Sequence, residues 1–327
     1  MDSSDLGEIR ELSLLKDLED IAARYERDYG APPLNLSTWD PSKELGARKL
    51  LGPVSLSQPL RVDYSFTYTA PRKLKLLSKL GFQSDNRDCL LSHSGSSAIV
   101  AMINWLRING RKRLLIVGPR YFTVPHACAA LGVTCSITHF RRVHGSYTLP
   151  SDFASVARRF DAVWVTNPVY CTSADIAAED LRVLSGIAVE GPILILDECL
   201  AEDGRQIGPQ MQKAGGEIFS IHAPHKAICV NGLKFAALTY DPKWASQFDS
   251  WSDVWLGCLP ASSELAIEHY LSPNFEVYAD SFKAECRQAF AALADIVQRY
   301  PGIELDTQAS GYLVSVIGPH EVVRVQC

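Results

Sequence analysis

The chain has no Cys-x-x-Cys pair, although it carries nine cysteines in an odd and scattered set. A disulfide frame or a thiolate zinc site therefore has no spacing to rest on, and the cysteines read as reduced thiols. Its eight histidines include no His-x-x-x-His or His-Glu-x-x-His, so the common helical zinc motifs are missing too and no metal is expected. Basic excess is also lacking. A net charge of −5 argues against nucleic acid or an anionic membrane as a partner of the whole surface. No apolar run approaches the length of a membrane span. The opening residues, MDSSDLGEIREL, are acidic and polar where a secretory leader is positive and then apolar. A cytoplasmic chain is expected, without internal repeats or low-complexity tracts.

What is present suits one large or two modest globular domains: 327 residues, 47% hydrophobic and 21% charged. An amphipathic helix with Leu12, Leu15, Leu18 and Ile21 at three-residue spacing comes first. A Pro, Gly and Ser-rich connector from Gly30 to Pro59 follows, of the kind that drapes over another surface. From Pro71 a helix runs to Gly81. Strands and helices then alternate: strand Cys89 to Leu91, helix Ser97 to Ile108, strand Leu114 to Val117, helix Val124 to Ala130. Strand Ala162 to Val165, helix Ala178 to Leu184, strand Ile193 to Leu196 and two strands flanking Lys226 continue the pattern. Short apolar strands alternating with helices predict an α/β fold, a mostly parallel sheet covered by helices on both faces. After Tyr240 a Trp-rich stretch leads to a long helix from Ala279 to Tyr300, stopped by Pro301-Gly302. The expected division is a large domain over 60–259 and a smaller α+β domain built from both termini, 1–59 and 260–327, with the N-terminal segment packed on the rest of it.

Ligands of such sheets sit at the carboxyl ends of the strands, and the polar residues of interest fall there. Ser94-Gly95-Ser96-Ser97 follows a strand and opens a helix, so its free N–H groups suit a phosphate; it reads equally as a plain cap by Ser96 or Ser97. Tyr121, after Pro119-Arg120, offers a flat ring at the sheet edge or a packing residue. Asn167-Pro168 leaves its strand with an amide able to donate to a ligand oxygen, or simply starts a turn. Asp197-Glu198 ends ILIL, where a carboxylate needs a partner, an arginine being the structural alternative. Lys226 follows the apolar residues Ile218, Phe219 and Ile221, presented in a loop broken by Pro224-His225, and Asn231 to Lys234 turns a second cation back towards it.

In this order the residues resemble the fold type I pyridoxal-phosphate enzymes, in the class I/II aminotransferase family that includes histidinol-phosphate aminotransferases and threonine-phosphate decarboxylases. The resemblance runs from about Tyr64 to Gly311. It implies pyridoxal 5'-phosphate as cofactor, with residues 60–259 as its binding domain. Ser94, Gly95 and Ser96 would hold the phosphate, Tyr121 would stack on the ring and Asn167 would contact the ring hydroxyl. Asp197 would pair with the pyridine nitrogen, Lys226 would form the Schiff base, and Lys234 would meet the phosphate. Asn167, Asp197, Lys226 and Lys234 stand thirty, twenty-nine and eight positions apart, close to the family spacing. Tyr64 or Tyr68 matches the tyrosine that crosses a dimer interface to the phosphate, which implies a homodimer.

The sequence also departs from that family. Lys234 replaces an arginine, a point charge in place of a bidentate fork. Leu200 stands where a tyrosine is usual, and His225 and Ala223 replace serines; His225 and His222 are candidate ligand contacts. The chain stops soon after Ile317, where the family runs on to an arginine that clamps the substrate carboxylate. Arg324 does not match it, so either the chain is truncated or Arg120 or a neighbouring subunit is expected to serve. The leading expectation is an aminotransferase acting on an amino acid or small amine. The alternative is a lyase, decarboxylase or cyclising enzyme of specialised metabolism, and a third is a cofactor-binding or regulatory protein without turnover.

Overall fold

The computed structural model of the chain describes residues 14–31, 70–83, 86–143, 145–172, 174–230, 232–257, 259–306 and 313–318. It divides into two compact units, 1–40 and 41–327. In the first, helix α1 spans Leu14–Tyr29, where sequence spacing predicts a helix. It ends at Gly30, whose left-handed φ of +69° only glycine adopts freely. Ile21, Tyr25 and Tyr29 on it are exposed. Leu12 and the connector lie outside the described residues.

In the second unit, seven strands form one sheet: β1 (Asp88–Ser92), β2 (Arg113–Gly118), β3 (Thr134–His139), β6 (Ala162–Thr166), β7 (Ile193–Glu198), β8 (Ile218–His222) and β9 (Ala236–Tyr240). Two short hairpins lie outside it, β4 (Arg141–Val143) with β5 (Ser146–Thr148), and β10 (Glu304–Leu305) with β11 (Val316–Ile317). The order across the sheet is β1-β9-β8-β7-β6-β2-β3. Every pairing is parallel except the two made by β9, which runs against β1 and β8. The α/β architecture with a mostly parallel sheet is therefore observed. β6, β7, β8 and β9 are buried at every position, which is why they read as unbroken apolar runs.

The helices follow in order: α2 (Ala70–Lys79), α3 (Gly95–Ile108), α4 (Thr123–Leu131), α5 (Phe153–Ala157), α6 (Ala178–Glu190), α7 (Gly208–Ala214) and α8 (Pro224–Ala227). After β9 come α9 (Ala245–Trp251), α10 (Ala261–Leu271) and α11 (Pro273–Val297). On one face of the sheet Ile99, Met102 and Trp105 of α3 pack with Trp164, Ile195 and Phe219. On the other, Leu184 and Ile187 of α6 and Met211 of α7 pack with Val163, Leu194 and Leu196. A third cluster joins Leu76 and Leu77 of α2 and Leu91 of β1 to Ile267 and Tyr270 of α10 and Phe275 of α11. Each such side chain, buried to within a few per cent, contributes roughly 1.5–3 kcal/mol. Residues on both sides of the expected 259/260 boundary share this third cluster.

Several elements depart from expectation. β3 is an edge strand whose residues are exposed or half-buried, so it lacks the apolar run that marks its neighbours. The last long helix begins at Pro273 rather than Ala279, because proline is at home in a first helical turn, where its missing N–H costs nothing. For the same reason Pro224 does not break the chain into a loop. It opens the single helical turn α8, with Lys226 N–H bonded to Ala223 C=O at 2.8 Å. No described helix is long and apolar enough to cross a membrane.

Candidate active site

The chain leaves β1 at one edge of the sheet and enters β2 near the other, so a crevice opens outside the carboxyl ends of the central strands. The ends of β1, β2, β6 and β8 are followed by Ser94, Tyr121, Asn167 and Lys226 respectively, and Asp197-Glu198 are the last residues of β7. Parallel register ties them together: Thr166 lies beside Asp197, Asp197 beside Ile221, and Glu198 beside His222.

Side chains alternate across a strand, so Asp197 and Glu198 must face opposite ways. Asp197 shares the face of Ile193 and Ile195, which carry the α3 cluster. Glu198 shares that of Leu194 and Leu196. Asp197 is 2% exposed and accepts from the Cys199 N–H at 3.2 Å. Burial pushes its carboxyl upward, while the charge of Lys226 and hydrogen bonds from the Cys199 thiol and N–H pull it back. Its partner is thus a lysine and a cysteine, not the arginine a structural pairing predicts.

Lys226 is half-buried and its Nζ lies 4.3 Å from the centroid of the Tyr121 ring. An ammonium over an aromatic face is attracted by the ring's quadrupole. Tyr170 stands 5.9 Å from Tyr121, centroid to centroid. The hydroxyl of Tyr170 is hydrogen-bonded to the thiol of Cys171, and burial pushes it upward. Cys171 is exposed, in a left-handed conformation at φ 61°, and its thiol feels the Lys226 charge. Lys226, Tyr121, Asp197, Tyr170, Cys171 and Cys199 therefore gather in one place. The last three were not singled out from sequence as site residues; Tyr170 and Cys171 lie within the Asn167 turn and Cys199 beside Asp197, and closeness in the chain was the available signal.

Ser94 caps α3 itself, accepting from Ser97 N–H at 3.2 Å while Ser97 Oγ accepts from Ser94 N–H at 3.2 Å. That reciprocal box places the cap two residues earlier than a cap on Ser96, and leaves the amides of Gly95 and Ser96 in the first turn, where no intrahelical partner exists. Gly95 sits so close to the residue after β7 that a Cβ there would lie 2.8 Å from Cys199 Sγ, which would have to move. Lys234 is exposed, with its C=O accepting from Ser263 Oγ at 3.0 Å; among the described residues no contact joins its ammonium to the Ser94 turn. Tyr64 and Tyr68 lie outside the described residues.

Asn167 is fully buried. Its Nδ2 donates to Glu198 Oε1 at 3.1 Å and to Arg205 C=O at 3.2 Å, while its Oδ1 is buried without a partner among the described residues. Glu198 also accepts from Ile207 N–H at 2.6 Å and Gly208 N–H at 3.1 Å. Burial pushes its carboxyl up to about 7 against those hydrogen bonds. His222 lies 3.8 Å from Glu198 Oε2, and burial pulls its ring down to about 3. His225 turns towards α10, where its Nε2 is hydrogen-bonded to His269 Nδ1 at 3.1 Å, packed between Phe235 and Phe275. Burial, with help from His269, brings it to about 3 as well.

This arrangement is the fold of the type I pyridoxal-phosphate enzymes. No protein-family model and no curated protein sequence matches the chain; solved structures do. The PLP-bound C-S lyase of Staphylococcus hominis, complexed with the inhibitor L-cycloserine, is 18% identical with a TM-score of 0.67, covering 81% of this chain and 71% of that one. Thermus thermophilus aspartate aminotransferase with maleate is 16% identical with a TM-score of 0.64, covering 78% and 69%. Treponema denticola cystalysin, which contains a pyridoxal 5'-phosphate cofactor, is 16% identical with a TM-score of 0.62, covering 80% and 70%.

Proposed function

We propose that the chain binds pyridoxal 5'-phosphate at Lys226 and acts on amino-acid-like small molecules as an aminotransferase. The observation that carries this reading is Lys226 Nζ standing 4.3 Å over the Tyr121 ring, in the field of the buried Asp197 carboxylate. The residues fit the group: a two-amide helix turn opened by Ser94 for the phosphate, a glycine cradle at Gly95, and an orphaned buried Asn167 Oδ1. Bound there, the cofactor supplies an electron-withdrawing ring that stabilises negative charge on the substrate carbon bearing the amine.

The chain's own groups do the rest. The first-turn amides of Gly95 and Ser96, with the positive end of the α3 dipole, bind the phosphate. Asp197, raised by burial against the pull of Lys226 and Cys199, would gain a counter-charge from a protonated ring nitrogen and so hold that proton in place. Tyr121 covers one face of the ring and excludes water from it. The Lys226 amine would take a proton from the substrate's α-carbon as a general base and, as an acid, deliver it to the cofactor carbon that receives the amine. We further propose a cytoplasmic homodimer in which Tyr64 or Tyr68 reaches the partner's phosphate site; sedimentation at rising protein concentration tests it.

A lyase using the same site is the second reading. It is favoured by Leu200, a buried apolar side chain at the position where the resemblance expects a tyrosine to bind the ring hydroxyl. The test is an absorbance spectrum with added pyridoxal phosphate, then borohydride reduction and peptide mapping. A visible band and a reduced adduct on Lys226, both absent in Lys226→Ala, are expected; an adduct elsewhere, or none, overturns the proposal. An amino donor alone then bleaches the band of an aminotransferase until a keto acid restores it, whereas a lyase recovers unaided.

A further inference from the structure

We propose that His225, by donating a hydrogen bond from Nε2 to His269 Nδ1, is the positioning residue that fastens the single helical turn carrying Lys226 to α10 and so sets where the Lys226 amine stands. The inference rests on the reading above that Lys226 is the reactive amine.

The turn has little of its own to hold it in place. α8 is four residues long and begins without a side-chain cap. A single turn fixes several dihedrals for very few backbone bonds, so a piece this short takes its position from what packs on it. Pro224, His225 and Ala227 are buried and Lys226 is half-buried. The side chains of Pro224 and Ala227 carry no polar atom, which leaves His225 as the polar tether. Consecutive helical residues point roughly 100° apart. Lys226 accordingly reaches Tyr121, which packs against the α3 cluster, while His225 enters the third cluster beside Phe235 and Phe275, at 5.8 and 5.3 Å between ring centroids. α10 is the firm partner, because its Ala266, Ile267 and Tyr270 are fully buried. It grips the segment that bears Lys226 at both ends, through His269 on His225 and through Ser263 Oγ, which donates to Lys234 C=O at 3.0 Å.

The direction of the histidine bond follows from what each nitrogen faces. His225 Nε2 lies 3.1 Å from His269 Nδ1, so one of the two carries a hydrogen. The other nitrogen of His225, Nδ1, is buried without a partner among the described residues. Were His269 the donor, a neutral His225 would carry its hydrogen on Nδ1, as a buried N–H with no acceptor, the rarer kind of orphan. With His225 as donor that nitrogen is bare, and His269 keeps its own hydrogen on Nε2 of a half-buried ring. A further proton on His269 would have to take the Nδ1 place and displace the bond. Burial opposes it, and so does the charge of Lys79 on α2. That ammonium is 3.2 Å from Glu276 of α11, and Glu268, next to His269, is 3.3 Å from Arg72. The pair therefore stays neutral and the tether holds.

The hydrogen on each ring is read from nitrogen spectra of the cofactor-free protein with labelled histidine. A hydrogen on Nε2 of His225 and none on its Nδ1 is expected; the reverse overturns the donor role. The stance of the amine is read from the rate at which added pyridoxal phosphate forms the borohydride-reducible adduct on Lys226. His225→Phe keeps a ring beside Phe235 and Phe275 but loses the donor, and is expected to slow that rate about tenfold, as a shift of a fraction of an ångström in a reacting group can do. His225→Gln, whose terminal amide donates from the same place, is expected to restore most of it. Glutamine as slow as phenylalanine points to packing alone and overturns the tether. His269→Leu should match His225→Phe, with the double variant no slower than either; losses that multiply overturn a shared bond. Where His225→Phe fails to fold, His269→Leu carries the comparison, with His269→Asn, whose Oδ1 accepts in place of Nδ1, as its rescue. No adduct in the wild type sinks the function proposed above and this inference with it, whereas a wild-type adduct whose rate the variants leave unmoved sinks this inference alone.

Discussion

Asp197 and Glu198 are chain neighbours of the same charge, equally buried at 2% and 1% exposure, yet they live on opposite sides of one sheet. Asp197 opens on the crevice and has Lys226 as its counter-charge. Glu198 is sealed among three donors and a histidine, and its carboxyl rises to about 7 because hydrogen bonds only partly offset burial. The difference teaches that parity at a strand end decides whether a carboxylate meets the crevice or the scaffold behind the sheet.

The comparison breaks most visibly at Glu198. Glu198→Ala strands the Ile207 and Gly208 amides and half of the Asn167 donor capacity, so a loss on the order of 3 kcal/mol is expected in urea unfolding of the cofactor-free protein. Asp197→Asn should cost far less, because the removed charge faces the crevice and Cys199 can still donate to the remaining oxygen. An equal loss in both would erase the distinction.

Gly95→Ala is expected to come next, at about 1–3 kcal/mol, since the added methyl would stand 2.8 Å from Cys199 Sγ. Pairing it with Cys199→Ala removes the obstructing sulfur. Non-additivity of the double variant in thermal unfolding checks that the two residues touch.

Acid sharpens the contrast through the histidines. His222 and His225 are held neutral by burial, at about 3 against an ordinary 6.5, so the unfolded chain takes up protons first. Their contribution to stability is whole above about 6.5 and declines as the pH falls towards 3. Glu198 acts in reverse, since its raised carboxyl favours the folded state most below the ordinary 4.5 and loses that advantage as pH rises through about 7. Asp180, Asp197 and Asp203 are raised by burial like Glu198, and His269 is lowered like the other two histidines, so the His222 share is isolated by substitution. His222→Phe, which abuts Phe82 in place of the imidazole, is expected to lose less melting temperature than the wild type between pH 6.5 and 4.

Smallest is Asp197→Asn itself, within about 1 kcal/mol in stability. Its expected effect is on α-proton exchange of a bound amino acid, followed by solvent deuterium. An unchanged exchange rate would count against Asp197 as the ring-nitrogen partner.

Much of this was legible in the sequence because strands buried on both faces spell themselves as apolar runs, and the polar residues after them fall at the crevice by topology. β3 escaped because an exposed edge carries no such run. The hydrogen-bond network of Glu198 escaped for another reason. Its partners, the amides of Ile207 and Gly208 and the carbonyl of Arg205, are backbone groups that any residue could supply. His225 could be flagged as a neighbour of Lys226, but its direction depended on α10, over forty residues downstream.

The lone reversed strand sets the order in which the site can come into being. β1, which delivers the Ser94 turn, has β9 as its one neighbour in the sheet, with Ser92 set against Ala236. Everything that surrounds Lys226 from β2, β6, β7 and β8 is synthesised before that neighbour exists. Within the seven-stranded sheet, the Ser94 turn is therefore tied to the strand that precedes Lys226 through the last of the sheet's strands to be made.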